Sequence, residues 1–122
     1  MQLNETERLI RNAYTAFNKR DLGMIEQYMH PQVHWPNGWE GGYVEGHRGV
    51  RDYWARQWKE LDPEVQPLHI RQLEDGRIEV TVQQIVKDLQ GKLLNEGQVK
   101  HIYTLENGLI KEMVIEPGFG GI

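Results

Sequence analysis

The feature that most constrains the fold is a change of hydrophobic period near Pro63 of this 122-residue chain. Before this proline, apolar residues recur at helical spacing, whereas after it apolar and polar residues alternate. The alternation is longest from Arg77 to Leu89, and it predicts a strand with one buried face. The residues predicted to face inward are Ile78, Val80, Val82, Gln84 and Val86.

Three turn signals divide the second half of the chain into an antiparallel meander. They are Asp75-Gly76, Gln90-Gly91 and Asn107-Gly108, and each contains the glycine that tight hairpin turns favour. The predicted strands cover residues 65–73, 77–89, 93–105 and 109–116. The tail, residues 117–122, is too rich in glycine to continue the last strand.

The first half of the chain is predicted to form three helices and a short strand. Asn4 and Glu7 have the spacing of a capping pair for a first helix that ends near Lys19. Asp21 is placed to cap a second helix, which Pro31 ends. The strand is predicted at 33–35 and the third helix at 48–61.

Helices that precede a run of strands indicate an α+β fold rather than a doubly wound one. We therefore expect one domain, residues 1–122, in which three helices cover one face of a strongly curved, mainly antiparallel sheet. Three helices cannot cover the whole concave face, so a pocket is expected where the third helix meets the loop before it.

Composition excludes several classes of function. The net charge is −4 without a basic stretch, which disfavours nucleic acid as a partner. The absence of cysteine excludes thiolate catalysis and favours a cytoplasmic protein. No apolar run approaches the roughly 20 residues that span a bilayer, so no membrane partner is expected.

No cofactor or metal is expected either. The sequence lacks a phosphate-binding loop and a Gly-x-Gly-x-x-Gly motif. Its 5 histidines show no metal-ligand spacing, and a serine nucleophile is excluded because the chain contains no serine.

Several runs of the sequence resemble the nuclear-transport-factor-2-like superfamily, and more closely its bacterial SnoaL-like branch. The runs are AYTAFNKRDLGMIEQYMHPQVHW, VRDYWARQW, VTVQQIVKDLQG and VKHIYTLENGLIKEM. The resemblance covers nearly the whole chain and implies a cone-like, cystatin-like α+β roll that dimerises through the outer face of its sheet. It implies no single activity, because this scaffold hosts isomerases, dehydratases, cyclases, epoxide hydrolases, ligand binders and transport adaptors.

The catalytic positions of the related ketosteroid isomerases are only partly retained. Their general-base aspartate corresponds to Trp35, and their protonated aspartate corresponds to His101. Their helix-borne tyrosine aligns with Ala13, one position before Tyr14. The same mechanism is therefore not expected, and the Asp-Arg-Asp set of a limonene epoxide hydrolase is not found.

His101 is the predicted catalytic residue. Alternation places it on an inward apolar face with Tyr103, where desolvation would tune an imidazole for proton transfer. The alternative is a core histidine whose nitrogens are satisfied by neighbours. The predicted substrate-binding residues are Tyr14, Trp35, Trp39, Trp54, Trp58, Gln84, Tyr103 and Met113.

The tryptophans leave alternatives open. Trp54 and Trp58 lie one turn apart on the third helix and suit a core as well as a cavity wall. Trp35 and Trp39 lie in the stretch HWPNGWEGGYVEGH, where glycines accompany the aromatics. That stretch suits a lid over a cavity or a contact between subunits.

The sequence thus favours a dimeric pocket protein for a small, largely apolar organic ligand. If it is an enzyme, cofactor-free isomerisation, dehydration or cyclisation by proton transfer is expected. The alternative is a non-catalytic ligand-binding or protein-interaction module.

Overall fold

The computed structural model describes residues 3–116, which form three helices and six strands in one sheet. The elements are α1 (Leu3–Asn18), α2 (Leu22–Gln27), β1 (Met29–Pro36), β2 (Tyr43–Glu45), α3 (Gly46–Trp58), β3 (Leu61–Gln72), β4 (Ile78–Asp88), β5 (Leu93–Glu106) and β6 (Leu109–Glu116). The strand order is β2-β1-β6-β5-β4-β3, and β1 and β6 are the parallel pair in an otherwise antiparallel sheet. The predicted α+β class is confirmed.

The turns of the meander form where the glycine signals predict them. Gly76 and Gly91 each have φ of 90°, and Asn107 and Gly108 have φ of 53° and 76°. At Asn107-Gly108, two consecutive residues with positive φ make the turn whose twist matches that of the flanking strands, whereas in the other two turns a single glycine has positive φ. Local turn chemistry thus fixes the register of the long hairpins.

Two predicted boundaries are wrong because proline does not exclude a strand. β1 begins at Met29 and contains Pro31, in a section where the β1–β6 register is interrupted between Met29 and His34. β3 begins at Leu61 and contains Pro63, because β3 is an edge strand and has one unpaired side. The third helix consequently ends at Trp58 rather than at residue 61.

Smaller corrections concern the element ends and the aromatic stretch. α1 already includes Leu3, so Asn4 lies within the helix rather than before it. Tyr43 belongs to β2, an edge strand that the sequence analysis assigned to the loop. Asp21 does cap α2, because its side chain accepts a hydrogen bond from the amide of Met24 at 3.1 Å. The tail prediction, 117–122, lies outside the described residues.

The core lies between α1, α3 and the inward face of the sheet. The predicted inward residues of β4 are all buried, with exposed fractions of 0% for Val80 and Val82 and 2% for Gln84. Val80 pairs with His101 on β5, and Tyr103 pairs with Met113 on β6. This register brings the inward aromatic and imidazole side chains beneath α1.

Candidate functional site

An apolar cavity lies between the helices and the inward face of the sheet. Its volume is about 30 Å³ measured as space for the centre of a water molecule, and about 440 Å³ of atom-free space when its opening is included. Among the described residues that line it, none carries a formal charge at pH 7. The lining consists of Ala13, Tyr14, Phe17, Ile25, Met29, Trp35, Trp54, Val65, His101, Tyr103 and Ile110.

A buried hydrogen-bonded chain forms the polar part of this lining. The hydroxyl of Tyr103 donates to the hydroxyl of Tyr14 at 2.7 Å. The Tyr14 hydroxyl lies 2.7 Å from Nδ1 of His101, although the two residues are 87 positions apart in sequence. The tyrosine rings meet edge to face, with centroids 6.3 Å apart.

The direction of this chain fixes the tautomer of His101. Tyr14 has one hydroxyl proton, and since its oxygen accepts from Tyr103, that proton is donated to Nδ1. A neutral imidazole that accepts at Nδ1 carries its proton on Nε2. His101 therefore has a hydrogen-bond donor at Nε2.

Burial keeps all three groups uncharged. It lowers the pKa of His101 from 6.5 to about 4, so the imidazole is neutral at pH 7. Burial also raises the pKa of Tyr14 well above 10, with a further contribution from Tyr103. The pKa of Tyr103 is raised mainly by burial as well, and its hydrogen bond to Tyr14 opposes that rise.

Three N–H donors of the lining side chains have no hydrogen-bond partner within the described part of the chain. They are Nε2 of His101 and Nε1 of Trp35 and Trp54. These side chains are 4%, 7% and 2% exposed, so bulk water does not satisfy the donors. Buried polar groups are nearly always paired, which makes this set an exception that needs an explanation.

Aromatic contacts join Trp35 and Trp54 to the hydrogen-bonded chain. The indoles of Trp35 and Trp54 lie edge to face at 5.5 Å, and Trp54 meets Phe17 in the same way at 5.1 Å. The ring centroids of Trp35 and His101 are each 6.3 Å from that of Tyr103. The imidazole at 101 and the indole at 35 therefore border the same cavity.

Four of the residues predicted to bind substrate lie outside the lining. Gln84 and Met113 are buried in the core, at 2% and 0% exposure. Trp58 stacks on Trp54 at 5.8 Å and is covered by the guanidinium group of Arg20 at 5.1 Å. Trp39 is the fourth, and it is half-buried against the core.

The loop that carries Trp39 is tied to its surroundings. Oδ1 of the buried Asn37 accepts the amides of Trp39 and Glu40 at 3.2 and 2.7 Å. Glu40 in turn forms an ion pair with Arg56 of α3 at 2.8 Å. The question of a lid or a subunit contact stays a prediction, and the loop contributes no residue to the lining described above.

Sequence reasoning missed six lining residues as members of a site. Ala13, Phe17, Ile25 and Met29 have the helical spacing of apolar stripes in the first two predicted helices, and such stripes predict burial without separating core from cavity wall. Val65 and Ile110 join them from β3 and β6. No local signal marks these two positions.

The position of Tyr14 corrects the comparison with ketosteroid isomerases. Its one-residue offset from their tyrosine does not keep it from the site, since its hydroxyl reaches His101. Ala13, which aligns with that tyrosine, also borders the cavity. The helix thus presents both side chains to the cavity.

The sequence pattern of the SnoaL-like domain matches residues 10–113, which include every lining residue. The chain belongs to the SnoaL-like domain family. No curated protein matches its sequence at a significant level. Across residues 3–116, no helix is long and apolar enough to cross a membrane, and no group of three or more metal-binding side chains is found.

Solved structures share the fold of this SnoaL-like chain at low identity. TerC, co-crystallised with polyporic acid, is 24% identical over 91% of this chain and 89% of its own, with a TM-score of 0.79. SalBIII is an epoxide hydrolase/cyclase-like enzyme with a role in pyran ring formation in the polyether salinomycin. It is 16% identical over 99% of this chain and 94% of its own, with a TM-score of 0.79. RV0760c from Mycobacterium tuberculosis, in complex with estradiol-17β-hemisuccinate, is 13% identical over 92% of both chains, with a TM-score of 0.78.

Proposed function

We propose that this SnoaL-like protein binds a small, largely apolar organic molecule in the cavity beneath α1. One observation carries the proposal: a buried series of hydrogen bonds from Tyr103 through Tyr14 to His101 ends, in an apolar lining, at an N–H donor that has no partner among the described residues. Apolar cavities with a few converging polar groups are the usual form of small-molecule sites. The ligands named for TerC and RV0760c support the same reading.

If the protein is an enzyme, cofactor-free proton transfer is the chemistry that suits this site. An Nε2–H donor held in a water-poor cavity would stabilise negative charge that develops on a ligand oxygen. Isomerisation and dehydration next to a carbonyl group, and aldol-type cyclisation, pass through such charge. His101 would be the catalytic residue whose Nε2–H donates a hydrogen bond to that oxygen, and Tyr14 would position it.

The size of the cavity adds a condition to this proposal. A volume of about 30 Å³ suits one or two water molecules, so a ring-sized ligand must displace lining side chains as it enters. Association that waits for such a rearrangement is slower than typical association. We therefore expect slow binding to a well-defined single site.

The test uses native mass spectrometry of the purified protein, followed by calorimetric titration with polyporic acid and with estradiol-17β-hemisuccinate. We expect a retained small molecule, or saturable binding of one of the two compounds at one site per chain. A His101→Asn variant should bind that compound roughly tenfold more weakly, as expected for loss of a buried hydrogen bond. A protein that retains no molecule and binds neither compound would rule the proposal out.

We also propose that two copies associate through the outer face of the sheet, as the family resemblance implies, and that the protein acts in the cytoplasm. Register and alternation place Ile102 and Val114 side by side on that outer face. These side chains would form an apolar centre for the association.

A further inference from the structure

We propose that the cavity selects ligands by their acceptor oxygens: it prefers a ring compound with a carbonyl group over the same hydrocarbon and rejects the corresponding amine. This inference rests on the proposed function and specifies the class of ligand. It follows from the balance of donors and acceptors around the cavity rather than from its shape.

The donors are in excess. Trp35, Trp54 and His101 each place a buried N–H without a partner among residues 3–116. Indole nitrogen donates only, so two of these three groups can be satisfied by an acceptor and by nothing else. A carbonyl oxygen has two lone pairs and can accept from two such donors.

Two of the three side-chain acceptors of the lining are engaged, and the third is the hydroxyl oxygen of Tyr103. Nδ1 of His101 accepts from Tyr14, and the hydroxyl oxygen of Tyr14 accepts from Tyr103. An ammonium group would bring a charge and three donors to a lining that holds no carboxylate among its described members. Burial of an unpaired charge is strongly unfavourable, so the amine should be excluded.

The preference for a carbonyl group follows from the free-energy cost of leaving the N–H donors unpaired when the ligand has no oxygen. A donor that stays unpaired in the complex keeps its desolvation cost, whereas a carbonyl group removes it. Sites built around unpaired donors discriminate strongly against analogues without the matching oxygen. We expect about a tenfold difference in affinity per oxygen bound.

Three probes with the same ring skeleton test the inference: tetralin, 1-tetralone and 1-aminotetralin. Calorimetry should show 1-tetralone binding about tenfold more tightly than tetralin, and 1-aminotetralin not binding. Tetralin is the most apolar of the three, so simple partition into an apolar cavity gives the opposite order. The two explanations therefore cannot be confused.

Indole N–H resonances of ¹⁵N-labelled protein report directly on the donors. Addition of 1-tetralone should shift the signal of Trp35 or Trp54 towards that of a hydrogen-bonded indole, and tetralin should not. Trp58 provides the internal control, because its Nε1 is also buried and without a partner in the range 3–116, but its side chain is outside the lining. This measurement needs no variant beyond those used for assignment.

Variants then locate the donor. Trp35→Phe and Trp54→Phe each remove one N–H and keep an aromatic ring, and Trp58→Phe makes the same change outside the lining. The preference for 1-tetralone should fall in at least one of the first two and persist in the third.

Equal affinity for tetralin and 1-tetralone, or tight binding of 1-aminotetralin, would overturn the inference and leave small-molecule binding intact. A shift confined to Trp58 would also overturn it. If none of the three probes binds, and polyporic acid and estradiol-17β-hemisuccinate do not bind either, both the inference and the proposed function are ruled out.

Discussion

At the scale of single residues, the bond from Tyr14 to His101 decides which nitrogen of the imidazole is available to a ligand. The bond is 2.7 Å long, and both partners are buried. Without it, Nδ1 would be an unpaired acceptor beside an unpaired Nε2–H. Tyr14 is thus a positioning residue whose effect is transmitted through His101.

The two tyrosines should differ in their effect on stability. Tyr14→Phe leaves both Nδ1 of His101 and the Tyr103 hydroxyl unpaired, and we expect a loss of about 2 kcal/mol in the free energy of unfolding. Tyr103→Phe leaves the bond from Tyr14 to His101 in place, and we expect it to lower the free energy of unfolding by about 1 kcal/mol. Urea denaturation measures both.

The exposed Tyr43 supplies the matched control, since Tyr43→Phe should change stability little. A smaller loss for Tyr14→Phe than for Tyr103→Phe would contradict the central place of Tyr14 between His101 and Tyr103. The ¹⁵N shifts of the imidazole give an independent reading, because they distinguish the Nε2–H tautomer from the Nδ1–H tautomer.

His101 should make stability depend on pH in a defined window. Its folded-state pKa of about 4 lies below the unfolded value of 6.5, so the unfolded chain binds the proton more readily. The stabilisation is fully present above pH 6.5 and is lost as the pH falls from 6.5 towards 4. Its size is roughly 3 kcal/mol.

The measurement is the free energy of unfolding from pH 7.5 to pH 4 for the parent protein and for His101→Asn. The variant should lose less stability across the window, by about the amount given above. Parallel profiles for the parent and His101→Asn would show that the imidazole is not held neutral by burial.

At the scale of elements, the loop between β1 and β2 shows how one buried polar side chain orders a glycine-rich stretch. Asn37 accepts two loop amides and donates from Nδ2 to Glu40 at 2.8 Å. Gly41 and Gly42 have φ of 96° and 77°, where residues with a side chain are strained. The glycines thus shape the turn, and Asn37 holds it.

Asn37→Ala should therefore loosen this loop. We expect a loss of about 1 to 2 kcal/mol in stability and faster amide hydrogen exchange at Trp39 and Glu40. Arg56→Ala, which breaks only the exposed ion pair to Glu40, should leave exchange at these amides nearly unchanged. Equal acceleration in both variants would mean that the ion pair, rather than Asn37, orders the loop.

The cap of α2 is a second element with a defined contribution. Asp21→Ala removes the acceptor for the amide of Met24 and should cost about 1 kcal/mol, because a six-residue helix has few other bonds. Asp21→Asn retains an acceptor oxygen and should restore most of that stability. Thermal unfolding of both variants measures the difference, and equal melting temperatures would show that the cap is not needed.

At the scale of the whole molecule, the proposed association through the sheet leads to a test of mass in solution. Sedimentation equilibrium should show a dimer for the parent protein. Val114→Lys should weaken the dimer by more than tenfold, because it places a charge beside the apolar side chain of Ile102 on the face proposed to meet the partner. Thr15→Lys, at an exposed position on α1, should leave the mass unchanged. A monomeric parent protein would rule out the proposed association through the sheet.

The sequence by itself determined the three helices, five of the six strands, their order and the inward face of β4. Alternation along β4 and the turns at Gly76, Gly91 and Asn107-Gly108 are local features, and local chemistry suffices to read them. The alternation of the sequence also placed His101 and Tyr103 on one buried face. Periodicity reports which way a side chain points, but it carries no information on how far away the opposite wall lies.

The tertiary structure alone decided the rest. It paired β1 with β6 in parallel, carried prolines into β1 and β3, and joined Tyr14 to His101 across 87 positions. It also separated Trp35 and Trp54, which border the cavity, from Trp58, which does not. These outcomes depend on distances between elements that are remote in sequence, and such distances are fixed only when all the elements pack together.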